Sequence, residues 1–98
     1  MTITQTKEGS KLTLALSGRL DTTTAPDFEK AVCDNIAGIS ELILDLKDLQ
    51  YTSSAGLRVF LKAQKMMNTQ GSMKVLHVTD DIMEVFEITG FSELLTIA

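Results

Sequence analysis

The chain has 98 residues, 44% of them hydrophobic and 22% charged, with 9 Lys+Arg against 13 Asp+Glu for a net charge of −4. This is the make-up of one small domain over residues 1–98, which buries roughly two-thirds of its unfolded surface and has no room for a deep cleft between two domains. The acidic balance excludes a general nucleic-acid binder, which needs a Lys/Arg surplus on one face, and a single cysteine with a single histidine excludes an internal disulfide and every familiar His/Cys metal set.

The lone Cys33 fits a reducing compartment. Met1–Lys7 lacks the apolar core of a secretion leader, and no window reaches the ~18 consecutive apolar residues of a membrane span. A cytoplasmic protein without membrane insertion or direct nucleic-acid contact is therefore expected.

Leu12, Leu14 and Leu16 alternate with Thr13, Ala15 and Ser17, the period of a strand with one buried face. Thr2–Lys7 joins it through Glu8-Gly-Ser-Lys11 as an N-terminal β-hairpin. From Phe28 the spacing changes to i, i+3, i+4 and i+8 at Phe28, Ala31, Val32 and Ile36, which predicts a helix near 25–36. Thr24 is its candidate N-cap, Pro26 falls in the first turn, Asp27 lies near the positive dipole end, and Gly38 follows the last turn. Leu42-Ile-Leu44 with Leu46 reads as a central strand covered on both faces.

A short loop and two serines then introduce a second helix near 54–69, with Leu57, Phe60 and Leu61 inward and Met66 or Met67 filling core space later. Met73–Val78 reads as a strand, and Thr79, Asp80 and Asp81 open a third helix near 80–89, striped by Ile82, Val85 and Phe86 and closed by Gly90, with Phe91 beyond the cap. Leu94–Ile97 is a candidate final edge strand. The order predicts an α/β fold: a mixed sheet of four to five strands, parallel where helices intervene, with about three flanking helices.

Catalytic sets are hard to assemble from these residues. Ser53, Ser54 and His77 carry the only plausible serine–histidine chemistry, yet nothing in the sequence supplies the geometry that a nucleophile and its base require. His77 reads as a core or strand-end histidine and Cys33 as a helix-packing one. Neither glycine-rich phosphate-binding motif occurs. The informative segment is the end of the buried strand followed by Ser53 and Ser54. A serine there can cap the helix, or it can carry a phosphate, because a helix N-terminus offers free N–H groups and a positive dipole end. Gly56 allows tight loop-to-helix packing, the close approach of a partner, or both together. Arg58, Lys62 and Lys65 share one helix face, either a solvated stripe or a match for an acidic surface.

Leu46-Lys-Asp-Leu-Gln-Tyr-Thr-Ser-Ser-Ala-Gly-Leu-Arg-Val-Phe-Leu61 resembles the signature of STAS-domain anti-sigma factor antagonists, and Gly18-Arg-Leu-Asp21 resembles their earlier Gly-x-Leu-Asp element. The resemblance spans essentially the whole chain and implies a non-enzymatic binding module with no cofactor, no metal and no catalytic residue. The implied partners are an anti-sigma factor that is itself a serine kinase and a metal-dependent serine phosphatase that resets the switch. Many members read Asp-Ser-Ser-Gly or Asp-Ser-Thr-Gly. Aligned on Gly56, Ser53 takes the place of that Asp, Ser54 that of the phosphate acceptor and Ala55 that of the second hydroxyl residue. Asp21, Thr22, Ser53, Ala55, Gly56 and Arg58 are then the expected partner-binding residues around Ser54, with Asp21 either orienting the hydroxyl or serving only its own turn. A monomer is expected. The alternative within the same family is an adaptor subunit of a lipid-transport or signalling complex, in which Ser54 is only a cap.

Overall fold

The computed structural model describes all residues, 1–98. Strands β1 (Thr2–Glu8) and β2 (Lys11–Leu20) form the expected hairpin, followed by α1 (Ala25–Asn35), β3 (Glu41–Thr52), α2 (Ser54–Gln70), β4 (Ser72–Leu76), α3 (Asp80–Thr89) and the short α4 (Phe91–Leu94). The four strands lie in sequence order, antiparallel between β1 and β2 and parallel from β2 through β4. Each parallel step is made through a helix, as the alternation of elements requires.

The sheet has one dry face. Paired positions place Leu12 beside Leu42 and Met73, and Leu14 beside Leu44 and Val75, on the side that meets the helices. Phe28, Ala31, Val32 and Ile36 of the α1 region, Leu57, Phe60 and Met67 of α2, and Ile82 and Phe86 of α3 complete the same cluster of 24 buried residues. Phe60 is its centre: its ring meets Phe28 edge-on at 5.2 Å and Phe86 at 5.5 Å. Such pairs add about 0.5–1.5 kcal/mol each to the area they bury.

Several expectations are corrected. β3 is not covered on both faces: Ile43 lies outside the main cluster, flanked by its strand neighbours Thr13 and Lys74 on the side without helices. The loop expected between β3 and α2 does not exist, because β3 continues to Thr52 and Ser53 alone separates it from the helix. Leu94–Ile97 does not form a fifth strand. Its first residue ends α4, and one isolated bridge from Ile97 to Val75 is all the pairing that remains. β4 stops at Leu76, since His77 adopts a positive φ of 56° that breaks the ladder. Leu61 is half-buried and Cys33 is exposed; the cysteine follows Val32 off the buried stripe of α1. Thr24 and Thr79 stand at helix N-caps without bonding to the helix through their side chains. α2 ends where Gly71 passes close to the backbone of Ser40, leaving no space for a side chain.

Candidate functional site

The parallel strands end together, and the site is built on those ends. Leu20 and Thr52 are paired across β2 and β3, and the amide of Ser53 donates to the Leu20 carbonyl at 2.8 Å. Ser53 is extended, with φ −96° and ψ 176°, and its hydroxyl accepts from the Gly56 amide at 3.5 Å. Its carbonyl accepts the first helical bond, from Leu57, at 3.0 Å. Ser53 is therefore the N-cap of α2. Ser54 is the first residue of the helix, exposed, and its side chain makes no hydrogen bond in the molecule. The two serines have separate tasks: one closes the helix and the other faces solvent.

Gly56 shows why the helix starts here. A Cβ at this position would lie 2.5 Å from Thr52 Oγ1 and 2.6 Å from Leu20 Cγ, so α2 sits directly on the strand ends only because residue 56 has no side chain. Gly56 is buried, and its missing side chain makes room for the protein's own strands, the tight packing expected of it.

Asp21 follows Leu20 and closes the turn into α1. Its Oδ1 accepts from the Thr23 hydroxyl at 2.7 Å, the Thr23 amide at 3.0 Å and the Thr24 amide at 3.1 Å. The Asp21 backbone carbonyl accepts from Ala25 at 2.8 Å, so Asp21 closes the turn that leads into α1, while Thr24 holds the N-cap position through its carbonyl, which accepts from Phe28 at 3.3 Å. The Thr24 hydroxyl accepts from the Asp21 amide and donates to the Arg19 carbonyl. The Thr23 hydroxyl, helped by the Thr23 and Thr24 amides and the Thr24 hydroxyl, holds the Asp21 carboxyl below the ordinary aspartate range against the opposing effect of desolvation. Asp21 makes no hydrogen bond to Ser54; its place beside the site is fixed by its neighbour Leu20.

Between α1 and the first turns of α2 runs a groove of about 320 Å³, lined by Thr22, Ala25, Pro26, Ala55, Arg58 and Val59 and bounded by Glu29 and Lys62. Thr22, Ala55 and Arg58, expected around Ser54, all meet in it. Glu29 and Val59 were not singled out from the sequence, and Pro26 was read only as a first-turn residue of α1; the groove places of Pro26 and Val59 could have been found only by knowing which faces of the two helices meet. Lys62 pairs with Glu29 at 3.3 Å, which neutralises one member of the basic stripe. Arg58 is exposed and has no acidic partner. On the strand ends, the Arg19 guanidinium lies 4.2 Å from the centre of the Tyr51 ring, a pair that sequence reading also missed because β3 was read as ending earlier.

His77 is remote from this site. Its Nδ1 lies 3.0 Å from Asp45 Oδ1, and Asp45 pairs with Ala15 of β2. From Ala15 to Leu20 the strand runs about 16 Å, so Ser54 and His77 do not form the couple that a serine hydrolase requires. His77 is an exposed strand-end residue. Burial raises the Asp45 carboxyl, but the bond to His77, the Lys47 amide and nearby positive charge outweigh it and leave the net shift downward. No group of His, Cys, Asp and Glu side chains is placed to hold a metal ion, and no helix is long and apolar enough to cross a membrane.

A mixed sheet with all its helices on one face, and a helix headed by a free serine at the parallel strand ends, defines the architecture of a STAS domain. The chain belongs to that family: the STAS domain matches residues 2–98. It is 33% identical over 100 residues to BtrV of Bordetella bronchiseptica, a candidate anti-sigma factor antagonist, covering 100% of this chain and 86% of that one. It is 30% identical over 84 residues to the anti-sigma-B factor antagonist of Bacillus subtilis, covering 85% of this chain and 77% of the relative. The fold is shared with the Bacillus cell fate determinant SpoIIAA, an anti-sigma factor antagonist solved in two forms. The unphosphorylated form superimposes with a TM-score of 0.85 at 16% identity, over 99% of this chain and 88% of that one. The phosphorylated form gives 0.78, also at 16% identity, over 99% and 91%.

Proposed function

We propose that this chain is an anti-sigma factor antagonist, one domain over residues 1–98 acting as a monomer, whose unphosphorylated form binds a serine-kinase anti-sigma factor around Ser54. Phosphorylation of Ser54 by that kinase ends the binding, and a metal-dependent serine phosphatase restores it. The observation that carries this reading is the division of labour between the serines: Ser53 is committed to the cap, whereas Ser54 is exposed and uncommitted. An acceptor needs no more than an accessible hydroxyl, because the catalytic base, Mg²⁺ and nucleotide grip belong to the kinase.

The added charge of about −1.5 to −2 is favourable at a helix N-terminus, so the switch acts at the interface and not through refolding. Facing a surface fitted to a neutral hydroxyl, an unpaired buried charge costs on the order of 2–5 kcal/mol, which lowers affinity roughly 30-fold to several thousand-fold at ~1.4 kcal/mol per decade. Titration of the partner kinase with the unmodified protein, Ser54→Ala and Ser54→Asp tests this. Ser54→Ala should bind as the unmodified protein does and Ser54→Asp should bind weakly; equal affinities for the two variants remove the switch.

A further inference from the structure

We propose that Arg58 is the internal counter-ion of phosphorylated Ser54, so that modification adds an anion to the site and at the same time withdraws the free cation from the groove beside it. This rests on the reading of Ser54 as the phosphate acceptor. Ser54 is the first residue of α2 and Arg58 lies four residues on, which places the two on one helix face with Cβ atoms about 5–6 Å apart. The order is the favourable one, since an acidic group stabilises a helix best when it is N-terminal to its basic partner at this spacing.

Arg58 is unpaired, while the other charged groups at this end of the domain are each engaged elsewhere. Glu29, the carboxylate of the same groove, holds Lys62 at 3.3 Å. Asp21, in the turn before α1, accepts from Thr23 and Thr24. Arg19 lies over the Tyr51 ring. Arg58 therefore meets the phosphate with no competing ion pair to break, and its fork can donate two parallel hydrogen bonds to the phosphate oxygens. In the unmodified protein the same guanidinium stands over a groove walled by Ala25, Pro26 and Val59, available to a carboxylate of the partner.

The test needs no kinase. The domain is produced with phosphoserine installed at position 54 during translation, and the second ionisation of the phosphate, ordinarily near pH 6, is followed by ³¹P NMR at low salt. A guanidinium in contact favours the dianion. The titration in the unsubstituted domain should then lie about half a unit below that in Arg58→Gln, with Arg58→Lys recovering part of the difference. Lys62→Gln, which removes a cation already paired with Glu29, should leave the titration near that of the unsubstituted domain. Identical titrations with and without Arg58, or an equal displacement by Lys62→Gln, overturn the pairing. Failure of a kinase to modify Ser54 would overturn the functional reading instead, and the ³¹P comparison would still decide the pairing.

Discussion

Replacing the two serines one at a time separates the fold from the function. Ser53→Ala deletes the acceptor for the Gly56 amide, a bond of 3.5 Å at the long end of the hydrogen-bond range. Loss of a serine cap costs about 0.5–2 kcal/mol, and a long bond places this one near 0.5–1 kcal/mol. For a domain of this size each kcal/mol moves the melting temperature by roughly 4–8 °C, so Ser53→Ala should melt about 2–8 °C lower. Ser54→Ala removes a solvent-facing hydroxyl from a helical position, where alanine is the better helix former by a few tenths of a kcal/mol, so its melting temperature should hold or rise by about 1–3 °C. Intact-mass measurement after incubation with the kinase and ATP should show the reverse order: Ser53→Ala still gains one phosphate and Ser54→Ala gains none. A stable Ser53→Ala that resists phosphorylation, together with a destabilised Ser54→Ala that accepts it, would exchange the two roles and refute the reasoning.

Gly71→Ala should destabilise strongly, because its Cβ would fall 1.9 Å from the Ser40 carbonyl oxygen and 2.6 Å from its carbon, neither of which can turn aside. A loss at or above the ~1–3 kcal/mol of ordinary overpacking is expected in denaturant melts, and an unchanged midpoint would show that the β3 and β4 starts can separate. Phe60→Ala removes the ring that bridges Phe28 and Phe86 and should cost about 3–5 kcal/mol, a large part of the 5–15 kcal/mol typical of a whole domain. Asp21, whose folded carboxyl lies below the ordinary 3.8, should contribute stability that is complete above that value and is lost as pH falls through the depressed one. Carboxylate NMR should place its titration below 3.8 and find it raised in Thr23→Val; an Asp21 titrating normally would remove the turn network as its cause.

The regular elements were legible wherever burial followed one period. β2 keeps strict alternation from Leu12 to Leu16, and α1 keeps its apolar stripe from Phe28 to Ile36. The second half of β3 was not legible. Its buried positions run 44, 46, 49 and 52, because the pairing with β2 shifts register between Ala15 and Ser17 and again between Gly18 and Arg19. A strand that changes spacing from two to three at each irregularity reads as a polar loop. The end of the chain misled for a different reason: Leu94 and Leu95 look like strand residues, but after Gly90 the backbone makes one more helical turn, leaving Leu95 buried and Leu94 exposed. At the site, the place of Ser54 at the head of α2 was readable in the sequence, whereas the pairing of Lys62 with Glu29 was not, since it joins residues 33 apart across two helices.

The close fit of the α2 start against the strands also determines where a switch at Ser54 has its effect. Ser53 is tied to Leu20 through its amide, and residue 56 touches Thr52 and Leu20, so the first turn cannot shift without losing contacts that the core depends on. A modification on the outward side of that turn leaves those inward contacts untouched, and the dipole of a 17-residue helix favours the new charge. On the proposed function, a domain phosphorylated at Ser54 should keep its shape, and the free energy of switching should reside in the complex, where the partner must either desolvate the phosphate or release it. Arg58 sharpens that choice. Under the proposed pairing the guanidinium would partly neutralise the phosphate in the free domain, whereas a partner carboxylate seated in the groove would compete with the phosphate for the same cation. One and the same residue would then favour the modified state in isolation and penalise it in the complex.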